Sequence, residues 1–185
     1  MTRRRTTIAG LLLAALTLTG CGGAGGDGGA EDGHNDADLQ FAQQMIPHHR
    51  QAVLMSDLVL EADGVDPDIT AVAADIKAAQ APEIEMMEGW LDDWGVDSAG
   101  PDAMDGMESM DGMLSDDELA ALGRARGAGL ETHFLEGMIG HHEGAIAMAR
   151  EELDAGENDA ARDLAEQIIK SQAAEIETMK GLLEQ

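Results

Sequence analysis

Apolar side chains recur at steps of three and four residues over four long stretches of the chain, a spacing that places them on one face of a helix. The stretches run from Asp38 to about Glu61, from Pro67 to about Trp94, from about Leu130 to Leu153 and from about Asp159 to Leu183. No stretch shows the alternation of apolar and polar residues that is typical of a β-strand. The pattern predicts an all-α protein, folded as a four-helix bundle.

Residues typical of helix ends separate these stretches and join them in pairs. Gly64 suits the end of the first helix, and Asp66 suits the N-cap of the second. Gly156 and Asn158 mark an equivalent turn between the last two helices, and a capping box at Ser115 predicts a short additional helix between the pairs. Because the turns are short, each pair should form an antiparallel hairpin. The hairpins cover residues 38–94 and residues 130–185.

The two hairpins are copies of one sequence unit. The segment Phe41–Met55 (FAQQMIPHHRQAVLM) returns 93 positions later as Phe134–Met148 (FLEGMIGHHEGAIAM). The segment Gln80–Leu91 returns 92 positions later as Gln172–Leu183. Each copy therefore carries thioether, imidazole and carboxylate side chains in the same order, and this combination of donors suggests a metal site.

The repeated polar residues of each hairpin should face one another. A helix advances about 100° per residue, so Met45, His48 and His49 fall within one arc of their helix. Reflecting the histidines through the turn brings them level with Gln80 and Glu83 on the next helix. The candidate metal ligands are Met45, His48, His49, Glu83 and Met87 in the first copy and Met138, His141, His142, Glu175 and Met179 in the second.

The sequence leaves the roles of these residues open. One histidine of each pair is expected to bind the metal while the other hydrogen-bonds to Glu83 or Glu175, and the two copies either share one site or form two. The alternative is that the histidines are buried structural residues and the methionines belong to the core. Pro47 and Gly140 precede the histidine pairs and indicate either a kink that orients the imidazoles or a tolerated irregularity.

The linker between the hairpins, residues 95–129, is rich in methionine. Four methionines occur at every third position among Asp, Gly, Glu and Ser, where apolar packing does not explain them. Thioethers prefer soft cations, chiefly Cu(I), so the four form a candidate secondary metal site; the alternative is a linker in which methionine occurs by chance. These residues are Met104, Met107, Met110 and Met113.

Copper accounts for more of these features than other metals do. Zinc sites use His and Glu but not Met. Di-iron bundles need a Glu three residues before a His on two helices, and neither histidine pair has an acid at that spacing. The Cys-x-x-Cys-His signature of covalent haem is absent. We therefore expect copper, with Cu(I) favoured, and no organic cofactor.

The N-terminus carries the features of an export signal. Arg3–Arg5 form a basic start, and Ile8–Leu18 form an apolar run too short to span a bilayer. The following Leu-Thr-Gly-Cys resembles a bacterial lipobox, which implies a signal peptide over residues 1–21, cleavage before Cys21, and lipid such as palmitate on its sulfur. A flexible tether, residues 22–37, should then connect the domain, residues 38–185, to the outer face of the cell membrane.

Charge and motif content exclude several functions. The 185-residue chain has 11 basic and 37 acidic residues and a formal net charge of −26, a field that repels nucleic acid. Cys21 is the only cysteine, so an internal disulfide is impossible. No Ser-His-Asp, Cys-His or phosphate-loop pattern supports hydrolase or nucleotide chemistry. The expected partners are a metal ion and, through the lipid anchor, a membrane; the sequence identifies no protein partner.

The two histidine motifs resemble those of a known family. Met45-Ile-Pro-His-His49 and Met138-Ile-Gly-His-His142 are similar to the motif of the bacterial domain of unknown function 305 family, and the resemblance extends over about residues 38–184. It implies a ferritin-like four-helix bundle that is secreted or lipid-anchored, with some members linked to copper binding and resistance. It also implies ligands at the Met, His and His positions of both motifs. Gly140 departs from the proline usual before the histidines.

The expected function is copper binding outside the cytoplasm. The leading hypothesis is a lipoprotein that sequesters copper or transfers it, rather than an enzyme, through its His, Met and Glu residues. One alternative is a metal-dependent oxidase that uses the same residues with an open coordination position. The other is an interaction module without metal, in which the histidines are structural.

Overall fold

Five helices make up the fold in the computed structural model, which describes residues 33–96 and 110–185. The four long helices form a bundle, and the described residues contain no strand. The predicted all-α fold, a helical bundle compatible with a ferritin-like arrangement, is confirmed. The predicted signal peptide, Cys21, Met104 and Met107 lie outside the described residues. The helices are α1 (Asp36–Leu60), α2 (Pro67–Asp93), α3 (Asp116–Arg124), α4 (Ala128–Ala155) and α5 (Asp159–Leu183).

The helix ends follow the capping signals of the sequence. Gly64 has a φ of 76°, in the left-handed region that glycine adopts without steric strain. Asp66 caps α2 by accepting a hydrogen bond from the backbone N–H of Asp68. Asn158 caps α5, and Ser115 forms the expected capping box at the start of α3. Local sequence therefore defines both hairpin turns.

Helix α1 begins before the predicted domain boundary at residue 38. Asn35 is its N-cap, and Asn35 and Asp38 form a capping box. Composition predicts a solvated tether up to residue 37, but His34 stacks on Trp94 with ring centroids 4.5 Å apart. The structured domain thus includes the last few residues assigned to the tether, because small polar residues serve equally well in a tether and in a helix cap.

The long helices surround two apolar clusters that lie on either side of the middle of the bundle. The first halves of α1 and α5 pack with the second halves of α2 and α4, and the remaining halves pack with one another. The two copies are therefore related by an approximate two-fold axis. The Phe41 cluster includes Phe41, Met45, Ile46, Met87, Leu91 and Ile168. The Phe134 cluster includes Met55, Ile76, Leu130, Phe134, Met138 and Met179.

The helices that carry the histidine pairs continue past them. Pro47 lies inside α1, and Gly140 lies inside α4. Pro82 likewise lies inside α2, close to Glu83. Among the described residues, none of the helices combines the length and the apolar character needed to cross a membrane.

Candidate metal centre

Two histidines, one from each copy, meet at the centre of the bundle. His48 on α1 and His141 on α4 are 0% exposed. Their ring centroids lie 3.7 Å apart, and their ring planes are tilted by 40°. They lie between the Phe41 cluster and the Phe134 cluster, because both occupy the middle of their helices. The duplicated motif thus brings one histidine of each copy to a single place, and we call these two residues the inner pair.

The inner pair has no hydrogen-bond partner among the described residues. Both ring nitrogens of His48 and both of His141 are buried and unpaired. A buried polar group left without a partner lowers stability by about 1–3 kcal/mol. Native proteins rarely keep such groups, and an ion that binds them is one of the recognised explanations. The four nitrogens are therefore available as ligands.

Burial keeps both imidazoles of the inner pair uncharged. Burial, together with the neighbouring His49, lowers the pKa of His48 to about 3. Burial and the proximity of His48 hold the pKa of His141 well below its ordinary value. The backbone carbonyl of Asp111 lies near His48 and opposes the lowering of its pKa, without the geometry of a regular hydrogen bond. At neutral pH both rings carry a free lone pair, the form that binds metals.

The second histidine of each copy contacts a carboxylate. Nε2 of His49 lies 2.7 Å from Oε2 of Glu83, and Nε2 of His142 lies 2.7 Å from Oε2 of Glu175. Both histidines are fully buried, whereas the glutamates keep 19% and 24% of their side chains exposed. Each carboxylate fixes the orientation of its imidazole and places the proton on Nε2, which leaves Nδ1 unpaired. We call His49 and His142 the outer pair.

Two glutamines belong to the same polar layer, although they were not among the predicted ligands. Gln80 and Gln172 are both buried, and Oε1 of each has no partner among the described residues. They occupy equivalent positions on α2 and α5, one turn before Glu83 and Glu175. Their recurrence at the start of the second repeated segment was the signal that could have identified them. They add neutral oxygen and nitrogen donors to the layer.

The four methionines of the repeated segments that were predicted as ligands lie in the apolar core of the bundle. Met45 and Met87 belong to the Phe41 cluster, and Met138 and Met179 belong to the Phe134 cluster. All four are fully buried. Each copy thus places its thioethers in the apolar cluster on one side of the histidine layer. In the linker, Met110 and Met113 are half-buried where the chain returns to the bundle.

The two imidazoles of the inner pair do not by themselves form a complete coordination sphere. Within residues 33–96 and 110–185, no three His, Cys, Asp or Glu side chains converge as metal ligands. Structural zinc sites are almost always tetrahedral with four protein ligands, and the layer does not offer that set. Two facing imidazoles with thioethers nearby are closer to what a soft, monovalent ion accepts.

The protein is a helical bundle made of two repeated hairpins with a buried layer of histidines between them. Comparison with known sequences identifies a family with the same histidine motifs. The model of the family described as "Domain of unknown function (DUF305)" matches residues 38–183. The chain therefore belongs to the DUF305 family, as the histidine motifs predicted. Among curated proteins, none matches the chain.

Solved structures of this family share the fold. A DUF305 protein from Streptomyces coelicolor, described as a candidate secreted protein, is 35% identical; the match covers 80% of this chain and 92% of that one, with a TM-score of 0.72. A DUF305 fragment from Deinococcus radiodurans is also 35% identical, over 81% and 97% of the two chains, with a TM-score of 0.73. Both matches cover nearly the whole of the relative.

A third similar protein, CopM, has been crystallised with metal ions. Its Cu(II)-bound form is 30% identical to this chain, over 80% of this chain and 95% of that one, with a TM-score of 0.67. Its Cu(I)-bound form is 28% identical over the same shares, with a TM-score of 0.66. Silver-bound and metal-free forms of CopM match as well.

Proposed function

We propose that this protein binds copper at the inner pair and sequesters or transfers it outside the cytoplasm, without catalysing a reaction. The observation that carries the proposal is the contact between His48 and His141, whose four ring nitrogens are buried, neutral and unpaired. A cation bound by imidazole nitrogens would give these buried groups a partner and would remove the energetic cost of leaving them unpaired. The outer pair, with Glu83 and Glu175, would orient the layer around it.

The chemistry of the donors favours copper. Imidazole suits zinc, copper, iron and nickel, but thioether donors select soft ions such as Cu(I). The apolar clusters that enclose the layer contain four methionines of the duplicated motif, so a thioether could complete the coordination after a small shift. The relationship to CopM supports the same choice, because CopM binds Cu(I) and Cu(II) in the crystal. A secondary site at Met104, Met107, Met110 and Met113 remains part of the proposal.

The proposed location is the outer face of the cell membrane. The basic and apolar N-terminal segments and the lipobox-like sequence before Cys21 support export and lipid attachment. A candidate secreted protein among the solved relatives is consistent with a place outside the cytoplasm. At this location the protein would meet copper before it enters the cell.

Anaerobic titration with Cu(I) against a competing chelator tests the proposal. The chain without its signal peptide should bind copper tightly, and His48→Ala combined with His141→Ala should weaken binding at least about 100-fold, since both nitrogen ligands are lost. His133→Ala is the matched control, because His133 is exposed on α4. Unchanged affinity in the double variant would exclude the inner pair, and absence of binding by the parent chain would favour the metal-free interaction module.

The outer carboxylates should affect affinity without supplying the metal ligands. Glu83→Gln combined with Glu175→Gln keeps the shape of both side chains but removes the charge that holds the proton of His49 and His142 on Nε2. We expect copper affinity to fall about 10–100-fold, as for other residues that orient metal-bound imidazoles. Glu85→Gln combined with Glu177→Gln, at exposed and equivalent positions of α2 and α5, removes the same charge and should leave affinity unchanged. Equal effects of the two substitutions would show that only net charge matters.

A further inference from the structure

The chain that returns from the linker crosses α4 directly beside the inner pair. At Gly144, a β-carbon would lie far inside van der Waals contact of the carbonyl oxygen of Asp111. Gly112 has a φ of +85°, and a β-carbon there would lie 2.5 Å from the carbonyl oxygen of Gly140. Only glycine permits this approach of two backbones. We call residues 111–114 the strap.

A buried glutamine fastens the strap to α1. Nε2 of Gln51 donates to the carbonyl of Leu114 at 2.9 Å, and the N–H of Leu114 donates to Oε1 of Gln51 at 2.8 Å. Gln51 and Gly144 are equivalent positions of the two repeats. One copy therefore supplies the side chain that holds the strap, and the other copy supplies the space into which the strap fits.

The strap separates the inner pair from an open cavity. On its inner side, the carbonyl of Asp111 lies near His48, and a β-carbon on Gly112 would lie 3.1 Å from Cα of His141. On its outer side is a cavity of about 560 Å³, whose lining includes Met113, Glu118, His133 and Glu136. Carboxylates at the mouth of a cleft raise the local concentration of cations.

We propose that this cavity is the entrance for metal ions and that the strap is the gate between the cavity and the inner pair. The proposal rests on the copper-binding function proposed above. Opening requires the two hydrogen bonds of Gln51 to break and Leu114 to leave its place beside the Phe134 cluster. The four long helices stay in place, so the fold is kept while the histidines become accessible.

Chemical modification of the metal-free protein tests the gate without any metal. Gln51→Ala removes both hydrogen bonds of the strap, and Gly144→Ala displaces the strap by steric conflict. Each should raise the rate at which diethyl pyrocarbonate modifies His48 and His141 by about tenfold or more, measured by mass spectrometry, because the opening equilibrium shifts. Gln167→Ala is the control, since the Gln167 side chain is exposed and hydrogen-bonds to the carbonyl of Asp163 on its own helix. His34, which stacks on Trp94 away from the strap and the cavity, should react equally in all four proteins.

Amide exchange at Leu114 reports whether the strap is released. Faster exchange at Leu114 with unchanged modification of the inner pair, in either variant, would overturn the gate. If the exchange rate of the Leu114 amide is the same in Gln51→Ala as in the parent, Gln51 does not hold the strap, and the proposal is wrong. If one variant fails to fold, as judged by circular dichroism, the other decides.

The rate of Cu(I) loading separates the gate from the metal-binding function. If the parent chain binds Cu(I), loading should accelerate in both variants in parallel with histidine modification. Binding with an unchanged loading rate would place the entrance elsewhere and leave the function standing. Faster modification in a protein that binds no Cu(I) would support a mobile strap but overturn its assignment as a metal gate.

Discussion

Replacing His48 and His141 together by leucine should stabilise the metal-free bundle by about 2–4 kcal/mol, because four buried nitrogens without partners disappear from the core. Leucine has a similar size, and the layer lies between the Phe41 and Phe134 clusters, so the new side chains join an apolar surrounding. Urea unfolding of the metal-free parent and variant measures the difference in free energy of unfolding. A less stable variant would show that the histidines are well satisfied in solution.

The same substitution should remove the stabilisation that copper gives. A ligand present at about 1,000 times its Kd stabilises the folded state by about 4 kcal/mol, so Cu(I) should raise the Tm of the parent and leave the leucine variant unchanged. Ser56→Ala is the control, because the Ser56 hydroxyl is also buried and unpaired but lies outside the histidine layer. That variant should keep the copper response of the parent. Equal copper responses in all three proteins would place the binding site elsewhere.

The sequence predicted the helices and the level at which the polar residues meet. Apolar spacing and capping residues are local signals, and a short turn determines which residues of a hairpin face each other. This is why each histidine pair could be expected opposite Glu83 or Glu175, although which histidine of the pair makes the contact was left open. The two contacts have the same 2.7 Å distance because the two copies carry the same motif at nearly the same spacing, 34 residues in the first copy and 33 in the second.

The relation between the two hairpins could not be predicted in the same way. Contact between His48 and His141 depends on how α1 packs against α4, and the residues that join the hairpins include a segment without a periodic pattern. The close approach at Gly144 and the hydrogen bonds of Gln51 fix the end of this segment. In the sequence, Gly144 is merely a departure from Gln51 in the alignment of the repeats. The structure explains the difference, because the strap occupies the space that a side chain would need at this position.

The burial of several polar residues in the core could also not be predicted from the sequence. Gln80 and Gln172 lie on apolar stripes and were placed opposite the histidines, yet nothing in their residue type distinguishes a buried glutamine from an exposed one. Glu152 is a clearer case, because a single glutamate near the end of a helix is usually solvated. Its burial results from the fold of the α4–α5 turn over the start of α1. Tertiary packing, rather than local pattern, decides these positions.

Glu152 and Asp38 form a buried acidic pair at the end of the bundle, away from the histidine layer. Asp38 accepts hydrogen bonds from the backbone N–H groups of Asn35, Glu157 and Asn158. Burial alone would raise the pKa of Asp38, but these bonds and the contact with Glu152 lower it overall. Glu152 is 1% exposed, and burial together with Asp38 raises its pKa to about 8. Glu152 is therefore protonated at neutral pH and lies beside the Asp38 carboxylate, while neither of its oxygens has a regular hydrogen-bond partner among the described residues.

Stability should consequently fall as the pH rises from about 5 to about 9. In the unfolded chain Glu152 loses its proton near pH 4.5, whereas in the folded protein it keeps the proton until about pH 8. Between these values the free energy of unfolding falls steadily, and above pH 8 the full effect is present, up to about 5 kcal/mol. Arg162 opposes the shift but does not cancel it. Urea unfolding at a series of pH values measures this loss.

Glu152→Gln should remove most of this pH dependence. The amide of glutamine takes the same place beside the Asp38 carboxylate without titrating, so the variant should be more stable than the parent at pH 9 by about 3–5 kcal/mol and similar to it at pH 5. Glu151→Gln, at the exposed neighbouring position, should keep the pH dependence of the parent while changing the net charge by the same amount. Parallel curves for Glu152→Gln and the parent would show that Glu152 is ionised in the folded protein. Because Asp38 lies in the first turn of α1 and accepts hydrogen bonds from Glu157 and Asn158, such a result would also require a different explanation of how the start of α1 is held against the α4–α5 turn.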